Sequence, residues 1–247
     1  GSWTTDKART AAIVDQSNDL YYFTLDGQKA VRLTKTPQRE ELATFSPDGN
    51  FVAFVRENDL WVVDVKTQTE RALTTGGTEM LRHGKADWVY YEEVFNRNYQ
   101  TYWWSPDSTR IAYMEIDSSP IRPFTLVNSI PNDPAVERQP FPKPGDPNPR
   151  AKLFTVNVAG DAPQEVDLSA YSIEDRLIQL AGWWPDSSAA YAMVTNRTQT
   201  WLDMLSIPPD AGTPKVLFRE ATKAWVDTPG PLRFLKDGAF LFQSERT

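Results

Sequence analysis

Asp87 to Phe95 reads DWVYYEEVF, which sets two adjacent carboxylates, Glu92 and Glu93, inside a run of tryptophan, tyrosine, valine and phenylalanine. Neighbouring like charges repel, and both lose hydration when aromatic surface closes over them, so the arrangement costs free energy unless a cation fills the gap. A pair of this kind suits the holding of a positive group. It suits glycosidase chemistry poorly, because those carboxylates face each other about 5 to 9 Å apart and usually come from separate strands or loops. On a β-strand the two side chains would point to opposite faces, so a shared target requires a helical or irregular backbone. A short helix is expected, with Asp87 capping its start and Trp88, Tyr91 and Phe95 at i, i+3 and i+7 on one buried face. Glu92 and Glu93 then lie away from that face, near the helix's positive end, and spacing alone leaves a solvated acidic edge open as the plainer reading.

Other chemistry is sparse. The chain has one histidine, His83, no cysteine, no G-x-S-x-G and no H-E-x-x-H, so the common nucleophilic triads and zinc-protease sites lack their parts. His83 reads as a loop or core residue. Asp48, Asp107 and Asp186 occupy repeated turn positions, where a turn-stabilising hydrogen bond is expected rather than metal coordination. No metal, cofactor or catalytic residue is assigned within the chain.

The elements that must position the pair announce themselves as a repeat. ATFSPDGNFVAFVRENDLWVVDVKTQTERALT at 43 to 74 holds turn, strand, turn, strand and a third strand. The unit begins again at 102 to 117, 182 to 196 and 233 to 245, with Pro47-Asp48-Gly49, Pro106-Asp107-Ser108, Pro185-Asp186-Ser187 and Lys236-Asp237-Gly238 as corresponding turns between hairpin partners. Residues 11 to 34 supply a further, partial unit. Repeats of four strands and about 40 to 50 residues are the signature of a β-propeller. The expectation is therefore an all-β chain, about five blades of a larger propeller, filling residues 1 to 247 as one partial domain. Two insertions interrupt it: 75 to 100, with the glutamates, and a proline-rich arm at 118 to 150, whose prolines cannot lie in central strands. FLFQSERT ends after a strand with no closing unit, as expected of a propeller cut from a longer polypeptide.

A net charge of −7 gives nucleic acid no basic footprint, and no apolar run approaches the roughly 20 residues of a membrane-crossing helix. The absence of cysteine fits both cytoplasm and bacterial periplasm, and an opening Gly1-Ser2 resembling a tag remnant leaves any signal peptide open.

DWVYYEEVF, followed by YWWSPDSTRIAY, PFPKPGDPNP and KLFTVNV, resembles the N-terminal propeller region of the dipeptidyl peptidase IV family of serine peptidases, and the resemblance runs in order through the terminal SERT. It implies an eight-bladed propeller over a C-terminal α/β-hydrolase domain of the same polypeptide. It implies that the full enzyme releases dipeptides, commonly after proline or alanine, from peptides with a free amino terminus, and that Glu92 and Glu93 bind that terminus. Several relatives carry a third acidic residue where this chain has Tyr91. Some use a propeller arginine on the substrate carbonyl, for which Arg39 is a positional candidate. The resemblance also implies a homodimer joined partly through the arm, a catalytic triad outside this chain, and a periplasmic or secreted bacterial setting. A non-catalytic interaction scaffold of the cell envelope is the alternative.

Overall fold

A computed structural model describes residues 3–228, 230 and 232–244; the Gly1-Ser2 opening and the last three residues of SERT lie outside them. Four antiparallel four-stranded meanders follow one another along the chain. The first comprises Trp3–Thr5, Ala11–Gln16, Asp19–Thr24 and Ala30–Arg32, so the unit expected to be partial at 11 to 34 is complete. The second comprises Glu40–Phe45, Phe51–Arg56, Asp59–Asp64 and Glu70–Ala72. The third is built from Tyr102–Trp104, Arg110–Asp117, Arg150–Asn157 and Gln164–Glu165, and the fourth from Arg176–Trp183, Ala190–Asn196, Trp201–Ile207 and Lys215–Ala221. A hairpin of Arg233–Phe234 and Phe240–Leu241 opens a fifth.

The stacking follows from strand periodicity. Successive side chains alternate between the faces of a strand. In Phe51–Arg56, Val52 and Phe54 pack with Ala11, Ile13 and Leu20 of the first sheet, while Ala53 and Val55 pack with Ile111 and Tyr113 of the third. In Arg110–Asp117 the other parity, Ala112, Met114 and Ile116, meets Ile178, Ala190 and Val194 of the fourth sheet. The second and third sheets are thus buried on both faces, which is why their strands read as continuous apolar runs. This is the radial stacking of propeller blades.

The repeated turns also join blades. Asp48, Asp107 and Asp186 each accept a hydrogen bond from the backbone N–H two residues on, as expected of turn aspartates. The next residue is left-handed in all four copies, with φ of 76° at Gly49, 64° at Ser108, 61° at Ser187 and 84° at Gly238. A serine there incurs steric strain of about 1 to 2 kcal/mol. Its hydroxyl offsets this by reaching the preceding blade: Ser108 Oγ accepts the Asp48 N–H at 3.0 Å, and Ser187 Oγ accepts the Asp107 N–H at 2.9 Å.

Both insertions are structured. In the first, Leu81–His83 adds a strand to the third sheet beside Glu115, Ile116 and Asp117. In the second, Pro123–Asn128 and Ala135–Pro140 form a two-stranded ribbon, with Pro123 opposite Pro140, that joins no other sheet among the described residues. Phe124, Leu126, Val127, Ile130 and Val136 of this arm are exposed.

Candidate functional site

The segment between Lys85 and Gln100 leaves the third sheet and returns to it, its ends held by a bridge between those two residues and by the Ala86 N–H on the Tyr99 carbonyl at 2.8 Å. Asp87 is buried at the start of a short helix, where its carboxylate accepts the Tyr90 N–H at 3.0 Å and the Ser118 hydroxyl at 3.1 Å. The expected cap is present. Burial pushes the Asp87 carboxyl above its usual range, with the two hydrogen bonds pulling the other way.

The face this helix buries differs from the expected one. Tyr90–Val94 winds as a π-helical turn closed by the Phe95 N–H on the Tyr90 carbonyl at 2.8 Å, and the wider turn rotates the register. Val89 and Tyr90 enter the core, and the Tyr90 hydroxyl accepts the Ile178 N–H at 3.3 Å. Trp88, Tyr91 and Phe95 are half-buried around them. Trp88 rests on Phe141 of the arm at 4.3 Å between ring centres, and Tyr91 stacks on Tyr99 at 3.8 Å and 13°. Phe95 lies 5.7 Å from Tyr90 and 6.3 Å from Trp103.

The positive group that the paired carboxylates call for comes, for one of them, from the chain itself. Asn96 and Arg97 adopt φ of 48° and 65°, reversing the backbone, and the Arg97 N–H reaches the Tyr91 carbonyl at 2.7 Å. The guanidinium then lies on Glu92: Nε donates to Oε1 and Oε2 at 3.1 and 3.2 Å, and Nη2 donates to Oε1 at 2.9 Å. The Arg97 side chain is 72% exposed and that of Glu92 30%. Glu93 is exposed and makes no hydrogen bond or ion pair among the described residues. The cluster carries a formal charge of −1, with one carboxylate fixed and one available. Nothing in the sequence spacing marked Arg97, because this i, i+5 contact depends on two left-handed residues in succession.

Arg39 sits in the connection between the first two sheets, exposed and 3.9 Å from Asp15, and makes no ion pair with Glu92 or Glu93. His83 is buried between carboxylates of two blades, with Nδ1 2.8 Å from Asp59 and Nε2 3.1 Å from Glu115. Burial opposes its charge, but the two carboxylates prevail and lift its pKa from 6.5 to about 9. It is a charged cross-link between blades, in keeping with a core role. A cleft of about 810 Å³ opens between Trp88, Tyr99 and the arm, with Arg82, Lys85 and Arg138 in its walls. Among the described residues no group of three or more histidine, aspartate or glutamate side chains is placed to hold a metal ion.

Residues 10–247 match the family model described as the dipeptidyl peptidase IV N-terminal region. The chain belongs to this family. Within the dipeptidyl peptidase IV family, it is 28% identical over 226 residues to the Aspergillus flavus protein named probable dipeptidyl peptidase 4, covering 88% of this chain and 29% of that one. It is 28% identical over 186 residues to dipeptidyl aminopeptidase B of Saccharomyces cerevisiae, covering 73% of this chain and 23% of the relative. The crystal structure of Porphyromonas gingivalis dipeptidyl peptidase 4 superposes with a TM-score of 0.87 at 24% identity, over 99% of this chain and 36% of that one. The chain therefore spans a quarter to a third of these family members. The shared fold identifies the four meanders as N-terminal propeller blades, and no helix among the described residues is long and apolar enough to cross a membrane.

Proposed function

We propose that this chain is the substrate-binding propeller portion of a serine-type dipeptidyl peptidase, with Glu92 and Glu93 as the anchor for the free amino terminus of a peptide. The observation that carries this reading is the Glu93 carboxylate, unpartnered among the described residues, beside the fixed Glu92 carboxylate on a turn held by the Asp87 cap and the buried Tyr90. An ammonium offers three donors, and each charged hydrogen bond to a carboxylate contributes about 1.5 to 3 kcal/mol. An extended peptide advances about 3.3 to 3.6 Å per residue, so an amino terminus fixed here lets about two residues reach a nucleophile in a facing domain. That distance is what dipeptide release requires.

In this reading the propeller has eight blades. The nucleophile and its partners belong to an α/β-hydrolase domain outside residues 1–247, and the chain alone does not hydrolyse substrate. The exposed apolar face of the arm supports a homodimer of the full-length protein, and a periplasmic or secreted setting fits peptide substrates.

The test uses the full-length protein with Gly-Pro and acetyl-Gly-Pro chromogenic amides. Glu92→Gln and Glu93→Gln should each lower kcat/KM for the free amine by the equivalent of about 1.5 to 3 kcal/mol, the contribution of one charged hydrogen bond. Acetylation of the substrate should do similar damage to the wild type. Equal cleavage of both substrates by the wild type, or a silent Glu93→Gln, refutes the anchor.

A further inference from the structure

We infer that Arg97 is a specificity-determining residue of this site, one that favours peptides whose first side chain is acidic over those whose first side chain is basic. The inference rests on the amino-terminus reading above and goes further, because it names which peptides the anchor prefers. Arg97 directs only its Nε and Nη2 toward Glu92, and Nη1 donates to no group among the described residues. With 72% of the side chain exposed, the outer edge of the guanidinium stays open beside the anchor. A guanidinium presents five N–H donors in a planar fork and can hold a second carboxylate while keeping the first.

The placement is built, not incidental to a flexible loop. Two successive left-handed residues turn the chain back, the Arg97 N–H is tied to the Tyr91 carbonyl, and the Tyr91–Tyr99 stack closes the loop on its far side. The cation is thus held on the rim of the anchor. A peptide's first side chain branches from the carbon that carries the ammonium, so an ammonium on Glu93 and Glu92 brings that side chain within about one side-chain length of Arg97. An acidic group there meets the open edge of the fork, and a basic group meets a like charge. At roughly 6 Å in a largely aqueous setting, one such charge contact alters affinity by roughly three- to tenfold, and salt weakens it.

The experiment compares Glu-Pro, Ala-Pro and Lys-Pro chromogenic amides on the full-length wild type, Arg97→Gln and Arg97→Lys, at low salt and in added sodium chloride. In the wild type the order in kcat/KM should be Glu-Pro, Ala-Pro, Lys-Pro. The ratio of Glu-Pro to Lys-Pro should shrink about tenfold in Arg97→Gln, chiefly through KM, and in the wild type as salt rises. Arg97→Lys, which keeps the charge and loses the fork, should retain an intermediate ratio. An unchanged ratio in Arg97→Gln overturns the inference. So does an equal loss on all three substrates, which would make Arg97 only a support for Glu92. The outcome is separable from failure of the anchor itself, which is read from acetylated against free substrate in the wild type.

Discussion

His83 offers a direct test of how the blades are joined, because it is the one histidine in the chain and its ring gives a single, assignable signal. Its pKa stands at about 9 against 6.5 for an unperturbed imidazole, since Asp59 of the second blade and Glu115 of the third outweigh the penalty of burial. At about 1.36 kcal/mol per tenfold change in proton affinity, the bound proton contributes about 3 kcal/mol to the folded state. The folded pKa is raised, so this stability is fully present below about pH 6.5 and is lost as pH climbs through 9. Two measurements follow. Proton–carbon NMR of the imidazole should show one titration centred near 9, and Asp59→Asn or Glu115→Gln should each bring it down. Denaturant unfolding of wild type and His83→Gln, compared at pH 6 and pH 9.5, should show their difference in stability shrinking by about 3 kcal/mol. Taking the difference between the two proteins cancels lysine and tyrosine titrations common to both. An imidazole that titrates at 6.5 or below, or a difference independent of pH, would refute the charged cross-link.

Other outcomes follow from geometry already given. Ser108→Ala should destabilise by about 1 to 2 kcal/mol in thermal or urea unfolding, because the Asp48 N–H loses its acceptor while the left-handed strain remains; Ser108→Gly should lose less, because it relieves that strain. A Ser108→Ala variant as stable as the wild type would show that the inter-blade bond adds nothing. Asp87→Ala should destabilise by about 1 to 2 kcal/mol through loss of the cap and the Ser118 bond, and in the full-length protein it should raise KM for free-amine substrates. Replacing residues 124–139 with a short Gly-Ser link should leave the blades folded, since Pro123 and Pro140 already face each other, and should shift the full-length protein toward monomer in sedimentation. An unchanged dimer would assign assembly to another surface.

Much of the architecture was legible because it is written in local chemistry. The Pro-Asp-Gly and Pro-Asp-Ser turns fix where each hairpin reverses, and the doubly apolar strands announce burial on both faces. Asp87 read correctly as a cap because the hydrogen bond it makes spans three residues. The first blade looked partial because its opening strand, Trp3–Thr5, lies before the 11 to 34 unit and is three residues long, too short to show an alternating pattern. The buried face of the glutamate helix was misjudged because a 3.6-residue period was applied to a π turn. Arg97 and the carboxylates around His83 were not legible, since the first depends on a backbone reversal and the second on residues 24 and 32 positions away.

The serine links between turns give each blade a direction. The third blade presents both halves of the pattern, the Ser108 hydroxyl as acceptor toward the second blade and the Asp107 N–H as donor toward the fourth, so the contact is head-to-tail and never self-complementary. Contacts of that kind propagate, closing into a ring or running on until something stops them. The fourth turn carries Gly238, which has no hydroxyl to pass the pattern on. The links therefore encode the order in which blades follow one another and say nothing of how many there are; that number is left to the wedge angle at which the apolar faces meet.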